Sequence, residues 1–203
     1  MSDLKKLYLD IHNKMKSEYG FSPKALWGSK NSQEIRFDIL TRCILPTKEK
    51  IKVLDVGSGL GHLYGFLIEK GYNNDYTGLE INESFYEESK RNFPEANFIN
   101  GDTSKLKKIK NSFDYSFASG IYNLGSKQDT LRAFMNDLKI ISDKTHIAIG
   151  VNFLSSMSKK QDGISLYHQP QEILNLIRSN YSFNCELITD YLPNDFTVLL
   201  KKV

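Results

Sequence analysis

Three glycines at alternate positions, Gly57, Gly59 and Gly61, follow the apolar run Ile51, Val53, Leu54 and Val56 and precede the amphipathic segment Leu60, Leu63, Phe66, Leu67, Ile68. Bare backbone where a strand turns into a helix lets a ligand come close where a side chain would block it. The helix start behind the turn adds N–H groups that lack intrahelical partners. Residues Val56 to Gly61, with Ser58 between the first two glycines, therefore read as a cradle for a nucleoside-like ligand. Dinucleotide-binding turns follow Gly-x-Gly-x-x-Gly. Here the third glycine comes one residue earlier, and His62 stands where the dinucleotide pattern has glycine.

A carboxylate also stands close by. Asp55 lies two residues ahead of the first glycine, where it would repel a pyrophosphate. It suits a ligand that carries an amino group and no phosphate, and S-adenosylmethionine has both properties. A second strand-like run, Asp75 to Leu79, ends at Glu80 and is followed by Ile81. An acid at a strand end roughly 20 residues past a glycine turn is placed to accept from ribose hydroxyls. A third run, Ala96 to Ile99, leads into Asn100, Gly101, Asp102 and Thr103. Asp102 suits an adenine amine with Gly101 and Thr103 backbone at the ring edge; Asp102 or Thr103 equally suits the N-cap of the next segment.

Asp55 with Gly57, Gly59 and Gly61, then Glu80, then Asp102, resembles the class I S-adenosylmethionine-dependent methyltransferases in order and spacing from Ile51 to about Val151. Phe113 to Ser119 with Gly120 resembles that family's fourth strand, whose end borders both cofactor and substrate. The order Trp27-Gly28-Ser29-Lys30-x-Ser32-Gln33 with Arg36-Phe37, then the glycine motif and Ser119 to Asn123, is similar to a narrower group of small bacterial methyltransferases. Their substrates are poorly defined, and some are linked to surface glycans. The resemblance implies a Rossmann-like α/β fold. Its sheet is mostly parallel and seven-stranded, with an antiparallel strand in a C-terminal hairpin.

The elements needed to position these residues are legible along the chain. Ser2 can cap a first helix carrying Leu4, Leu7, Tyr8, Ile11 and Met15 at helical spacing. Gly20 to Gly28 is a break around Pro23, and a second helix is expected from about Ser32 to Ile44, ended by Pro46. From Ile51 strands and helices alternate, which implies parallel pairing. A helix over Ser126 to Ile141 and a strand over Thr145 to Val151 follow, and Pro170 opens a last helix. Cys185 to Tyr191 and Phe196 to Val203, joined around Pro193-Asn194-Asp195, read as a hairpin. The expected organisation is one domain over 1–203, with a helical lid (1–48) on a cofactor-binding core (49–203).

Composition restricts the function classes. The 203 residues carry 27 Lys and Arg against 24 Asp and Glu, a net charge of +3, too weak to argue for nucleic acid. The basic run Lys105 to Lys110 reads as a solvated helix face. No stretch approaches the ~20 apolar residues of a membrane span, and the start lacks an apolar signal core. Two isolated cysteines and four scattered histidines build neither a disulfide frame nor a metal site. The expectation is a soluble, cytoplasmic, metal-independent protein.

In an α/β sheet the ligand sits outside the carboxyl ends of the strands where strand order reverses, so the glycine turn, Glu80, Asp102 and Ser119-Gly120 should converge there. The N-terminal helices should cover them, with Trp27, Ser29, Gln33 and Arg36 over the cofactor. Arg36 suits its carboxylate or a plain helix surface; Trp27 suits substrate stacking or lid packing. The implied reaction is displacement at the sulfonium methyl, dominated by alignment, with Tyr122 and His168, and beside it Tyr167, as general-base candidates if the acceptor needs one. Asn123 suits a polar acceptor or a turn closure. Exocyclic-amine methyltransferases carry Asp/Asn-Pro-Pro-aromatic after strand four; Ser119-Gly120-Ile121-Tyr122 departs from it, which favours a small-molecule acceptor such as a sugar derivative. Two other readings stay open: an NAD-type dinucleotide oxidoreductase, and a non-catalytic cofactor-binding subunit.

Overall fold

A computed structural model of the protein describes residues 3–22, 29–110 and 112–203. Helices α1 (Asp3–Tyr19) and α2 (Lys30–Thr41) precede β1 (Ile51–Val56), α3 (His62–Glu69), β2 (Asn74–Glu80), α4 (Glu83–Asn92) and β3 (Asn97–Asn100). A 3-10 helix (Thr103–Lys108), β4 (Phe113–Ser119), α5 (Lys127–Lys144), β5 (Thr145–Leu154), α6 (Pro170–Arg178), β6 (Asn184–Ile188) and β7 (Asp195–Lys201) complete the chain.

Side-chain caps set most helix starts. Ser29 caps α2 through the Ser32 N–H, Asn82 caps α4, Ser126 caps α5, and Pro170 opens α6 where a missing N–H costs nothing. The Ser29 cap starts α2 two residues ahead of the Ser32 expected from sequence. Ser2, expected to cap α1, lies outside the described residues.

The seven strands run in the order β3-β2-β1-β4-β5-β7-β6. All neighbours pair in parallel except β7, which runs antiparallel to both β5 and β6. This is the expected arrangement, and it fixes where a ligand can sit. Strand order reverses between β1 and β4, so a crevice opens there at their carboxyl ends.

Both sheet faces are covered, which is why the strands read as nearly continuous apolar runs. One core layer joins Leu54 and Val56 of β1 to Phe134, Leu138 and Ile141 of α5 and to Ile173 and Ile177 of α6. The other joins Val53 to Phe37 and Leu40 of α2 and to Leu63 and Leu67 of α3. Helix α1 differs from the rest: none of its residues is fully buried. No helix among the described residues is long and apolar enough to cross a membrane.

Candidate cofactor site

The glycine turn after β1 is built on left-handed backbone, with φ of 73° at Gly57, 55° at Gly59 and 78° at Gly61. Its N–H groups are turned into the protein. Gly57 and Ser58 both donate to the Leu79 carbonyl (2.7 and 3.1 Å), and Gly61 donates to the Ser58 carbonyl (2.9 Å). Gly59 donates to Glu80 Oε2 at 2.8 Å, while Asn82 N–H donates to Oε1 at 2.7 Å. Glu80 thus ties the glycine turn to the β2–α4 loop with one oxygen on each. A pyrophosphate would meet a carboxylate and N–H groups already in use, which counts against the dinucleotide reading. Glu80 is only 3% exposed. Burial raises its pKa, opposed by the Asn82 and Gly59 N–H groups that favour the charged form.

The crevice beyond this turn encloses about 800 Å³. Val56, Gly57 and Gly59 form its floor with Glu80 and Ile81. Gly101, Asp102 and Thr103 line it from the end of β3, and Ser119, Gly120 and Tyr122 from the end of β4. A Cβ on Gly57 would stand 2.3 Å from Ile121 Cγ2, so the turn accepts only glycine beside that rim. Ser119 Oγ is buried on this wall with no partner among the described residues, and so is free to bond a ligand or a water. Carboxylate acceptors, an unpartnered hydroxyl and close-approach glycines fit S-adenosylmethionine.

Asp55 sits beneath the turn, away from the lining. It is buried and accepts from the Tyr76 hydroxyl at 2.6 Å. Burial pushes its carboxyl up to about 7, the Tyr76 hydrogen bond pulls the other way, and Glu80 adds to the rise. Asp55 therefore supports the turn from below and does not face a ligand amine. Between its ordinary value of 3.8 and about 7, the folded chain holds a proton here that the unfolded chain has lost. This group's contribution to stability is full below that window and falls as pH rises through it. Asp55→Asn stays neutral throughout. Its stability relative to wild type is expected to rise from about pH 5 to about pH 8, measured by urea unfolding at the two values.

The roof of the crevice is α1. Lys5 pairs with Asp102, the Tyr8 hydroxyl donates to the Ile121 carbonyl, and Asn82 Nδ2 donates to Asn13 Oδ1 at 2.9 Å. Each tie lands on a different loop, after β3, β4 and β2. Asp102 serves both of its expected roles in part, capping the 3-10 helix through the Ser104 N–H (2.8 Å) while lining the crevice. The Lys5 and Ser104 hydrogen bonds, against the opposing cost of burial, hold its carboxyl down at about 2.

Sequence reasoning did not find Lys5, Tyr8 and His12 of α1, nor Asp137 of α5, all of which line the crevice. Asp137 accepts from Thr103 (2.5 Å) and from the Tyr122 hydroxyl (3.2 Å). The available signal was polar residues on otherwise apolar helix faces. Burial keeps the His12 ring neutral, and its Nδ1 has no partner among the described residues.

Several expected site residues lie elsewhere. Trp27 is outside the described residues. Ser29 is the α2 cap, Gln33 bonds His62 Nδ1 at 3.0 Å on the far side of α3, and α2 packs on the sheet instead of over the crevice. Ser58 Oγ fills the space left by the absent side chain of Gly78, and Gly61 lets Phe93 and Phe98 pack against the start of α3.

Arg36 reaches Asp195 of β7 through two bonds of 2.7 and 3.0 Å, with the Asp195 side chain 2% exposed. Planar bidentate geometry was the correct inference; the partner is a protein carboxylate. Arg36→Ala strands a buried charge and is expected to cost about 3–5 kcal/mol in urea unfolding. S-adenosylhomocysteine affinity should stay within about threefold of wild type, a change under 1 kcal/mol; a large loss would restore the ligand role.

Of the two proposed bases, Tyr122 lines the crevice and His168 does not. Burial and the Asp137 carboxylate keep the Tyr122 phenol well above its ordinary range, so it stays protonated. His168 is buried behind the β4–α5 loop, where Nε2 meets the Tyr122 carbonyl at 2.7 Å, and it does not line the crevice. Asn123 closes the turn, donating to the Gly120 carbonyl and accepting from Leu154 N–H.

Comparison with known proteins agrees with this geometry. Residues 53–140 match a family model described as a methyltransferase domain. A Mycobacterium tuberculosis protein provisionally named methyltransferase Rv1506c is 28% identical over 165 residues, spanning 78% of this chain and 98% of that one. Among solved structures, the DhpI–SAM–HEP complex aligns over 100% of both chains with a TM-score of 0.69 at 14% identity. The cyclase SpnF aligns over 98% of this chain and 94% of its own with a TM-score of 0.71, also at 14% identity. At these identities the structural matches speak for the fold.

Proposed function

We propose, on the premise that this chain is a class I S-adenosylmethionine-dependent methyltransferase, that it methylates a small organic acceptor at oxygen or nitrogen. The observation that carries the acceptor class is the roof. Helix α1 spans the crevice and is pinned to three loops around it. What remains is a half-open crevice of about 800 Å³ for cofactor and acceptor together, within the ~300–1,000 Å³ range of small-molecule sites. An open groove for a duplex would need the roof removed, and the weak net charge supports the same class.

S-adenosylmethionine supplies, when bound, a methyl group made electrophilic by the positive sulfur. The chain's own residues bind and align. Glu80 offers its remaining lone pairs to hydroxyl donors, Asp102 and Thr103 hold a polar ring edge, Ser119 Oγ takes one further hydrogen bond, and α1 excludes water. Alignment of this kind is worth about 7–11 kcal/mol of barrier, so a strong base is not required. A sugar derivative or another polar metabolite is the acceptor proposed.

One specific observation favours a second reading. The cyclase SpnF shares the fold over nearly its whole length, so the same scaffold also appears in a protein named for cyclisation. Labelled S-adenosylmethionine incubated with a panel of nucleotide sugars and amines separates the two. Transfer to a small acceptor supports the proposal. Calorimetric binding of S-adenosylhomocysteine without transfer to any small molecule supports a cofactor-binding role without methylation. NAD in the same calorimetric series tests the dinucleotide reading and is expected to give no heat of binding.

A further inference from the structure

The rim of the crevice after β4, Gly120 to Asn123, is held from two sides at consecutive peptide carbonyls. From the roof, Tyr8 donates its hydroxyl to the Ile121 carbonyl. From the core, His168 meets the next carbonyl, that of Tyr122, at 2.7 Å. A carbonyl only accepts, so Nε2 carries the proton and Nδ1 is the bare nitrogen. Nδ1 has no partner among the described residues, so the ring makes one polar contact, and that contact is to the rim.

His168 is itself rigidly placed. It is 1% exposed, its N–H donates to the Leu154 carbonyl and its carbonyl accepts from Ser156 N–H, both at 2.8 Å. The ring stands edge-on to Phe153 at 5.4 Å. The segment held this way carries Ile121, whose side chain occupies the space over Gly57. A fixed imidazole therefore holds the carbonyl next to Ile121, the residue that touches the glycine turn through its side chain and the roof helix through its carbonyl.

We propose that His168 is a positioning residue for the cofactor site, holding the Tyr122–Asn123 peptide by its carbonyl and through it the preceding Ile121–Tyr122 peptide, so that Ile121 closes on Gly57 and presents its carbonyl to Tyr8. The inference rests on the cofactor reading above and assigns His168 no contact with ligand. A buried histidine that merely fills space would be replaced well by phenylalanine; one that acts through its N–H would be replaced by glutamine, whose Nε2 reaches a similar point, and not by the shorter asparagine.

The test is calorimetric binding of S-adenosylhomocysteine to wild type, His168→Gln, His168→Asn and His168→Phe, with amide hydrogen exchange at 121–124 in ligand-free protein. His168→Phe and His168→Asn are expected to bind about tenfold more weakly, the worth of one buried hydrogen bond, with faster exchange confined to the rim. His168→Gln should stay within about threefold of wild type. Tyr8→Phe should cost less in the His168→Phe background than in wild type, because the two side chains hold consecutive peptide units of one rim. Should His168→Phe fail to fold, the Gln–Asn pair carries the same comparison. Equal binding and equal rim exchange across the set would overturn this inference alone. No binding by wild type would overturn the cofactor reading and this inference with it.

Discussion

Glu80→Ala is expected to lower S-adenosylhomocysteine affinity by about 100-fold or more, the largest single loss at this site. The carboxylate joins the glycine turn to the β2–α4 loop. Its Oε2 takes the Gly59 N–H and its Oε1 the Asn82 N–H. Alanine leaves both donors unsatisfied in a buried place, at about 1–3 kcal/mol each, and removes the acceptor offered to ligand hydroxyls. Glu80→Gln separates charge from geometry. A glutamine satisfies one N–H with its oxygen and sets an NH₂ group against the other. It should therefore bind more weakly than wild type by about tenfold or more, despite its nearly identical shape. Isothermal calorimetry reads both variants; Glu80→Ala binding within about fivefold of wild type would remove Glu80 from the site.

Gly57→Ala should abolish measurable binding and destabilise the fold, whereas Gly71→Ala should only destabilise it. Both glycines are left-handed, with φ of 73° and 80°, so an alanine costs about 1–2 kcal/mol at either position from backbone strain. They differ in what surrounds them. A Cβ on Gly71 meets nothing within 4 Å, while one on Gly57 falls 2.3 Å from Ile121 Cγ2. Relieving that clash pushes the rim away from the turn and adds an overpacking cost of about 1–3 kcal/mol. Urea unfolding of the two variants gives the difference, and calorimetry shows whether binding follows the clash. Binding retained in Gly57→Ala would mean that the rim adapts freely and that the close approach does not define the site.

How far the sequence reaches can be judged from particular residues. Gly57 and Gly59, Glu80 and Gly101-Asp102, read from strand ends and spacing, and Ser119-Gly120, implied by the methyltransferase resemblance, all reach one crevice. Local rules suffice there, because a parallel α/β chain brings the carboxyl ends of β1, β2, β3 and β4 side by side whatever the loops contain. The antiparallel pairing of β6 with β7 is legible for a similar reason, since a short connection allows no other; the place of β7 in the sheet is what the methyltransferase resemblance implies. Arg36 was chosen correctly as a bidentate group, yet its partner Asp195 lies 159 residues away, and no local pattern names a partner at that distance.

The covering of the site belongs to tertiary structure for the same physical reason. The apolar spacing of α1 announces a packed face but is silent on which loops that face meets. Lys5, Tyr8 and Asn13 acquire their roles only when the helix lies across Asp102, Ile121 and Asn82. His168 shows the limit most plainly: ahead of Pro170 it suits a general base or a loop or cap residue, and the fold turns it inward against the Tyr122 carbonyl. Periodicity and turn chemistry are short-range and can be read along the chain. Which buried polar group meets which is decided by long-range closure, where each desolvated donor must find an acceptor.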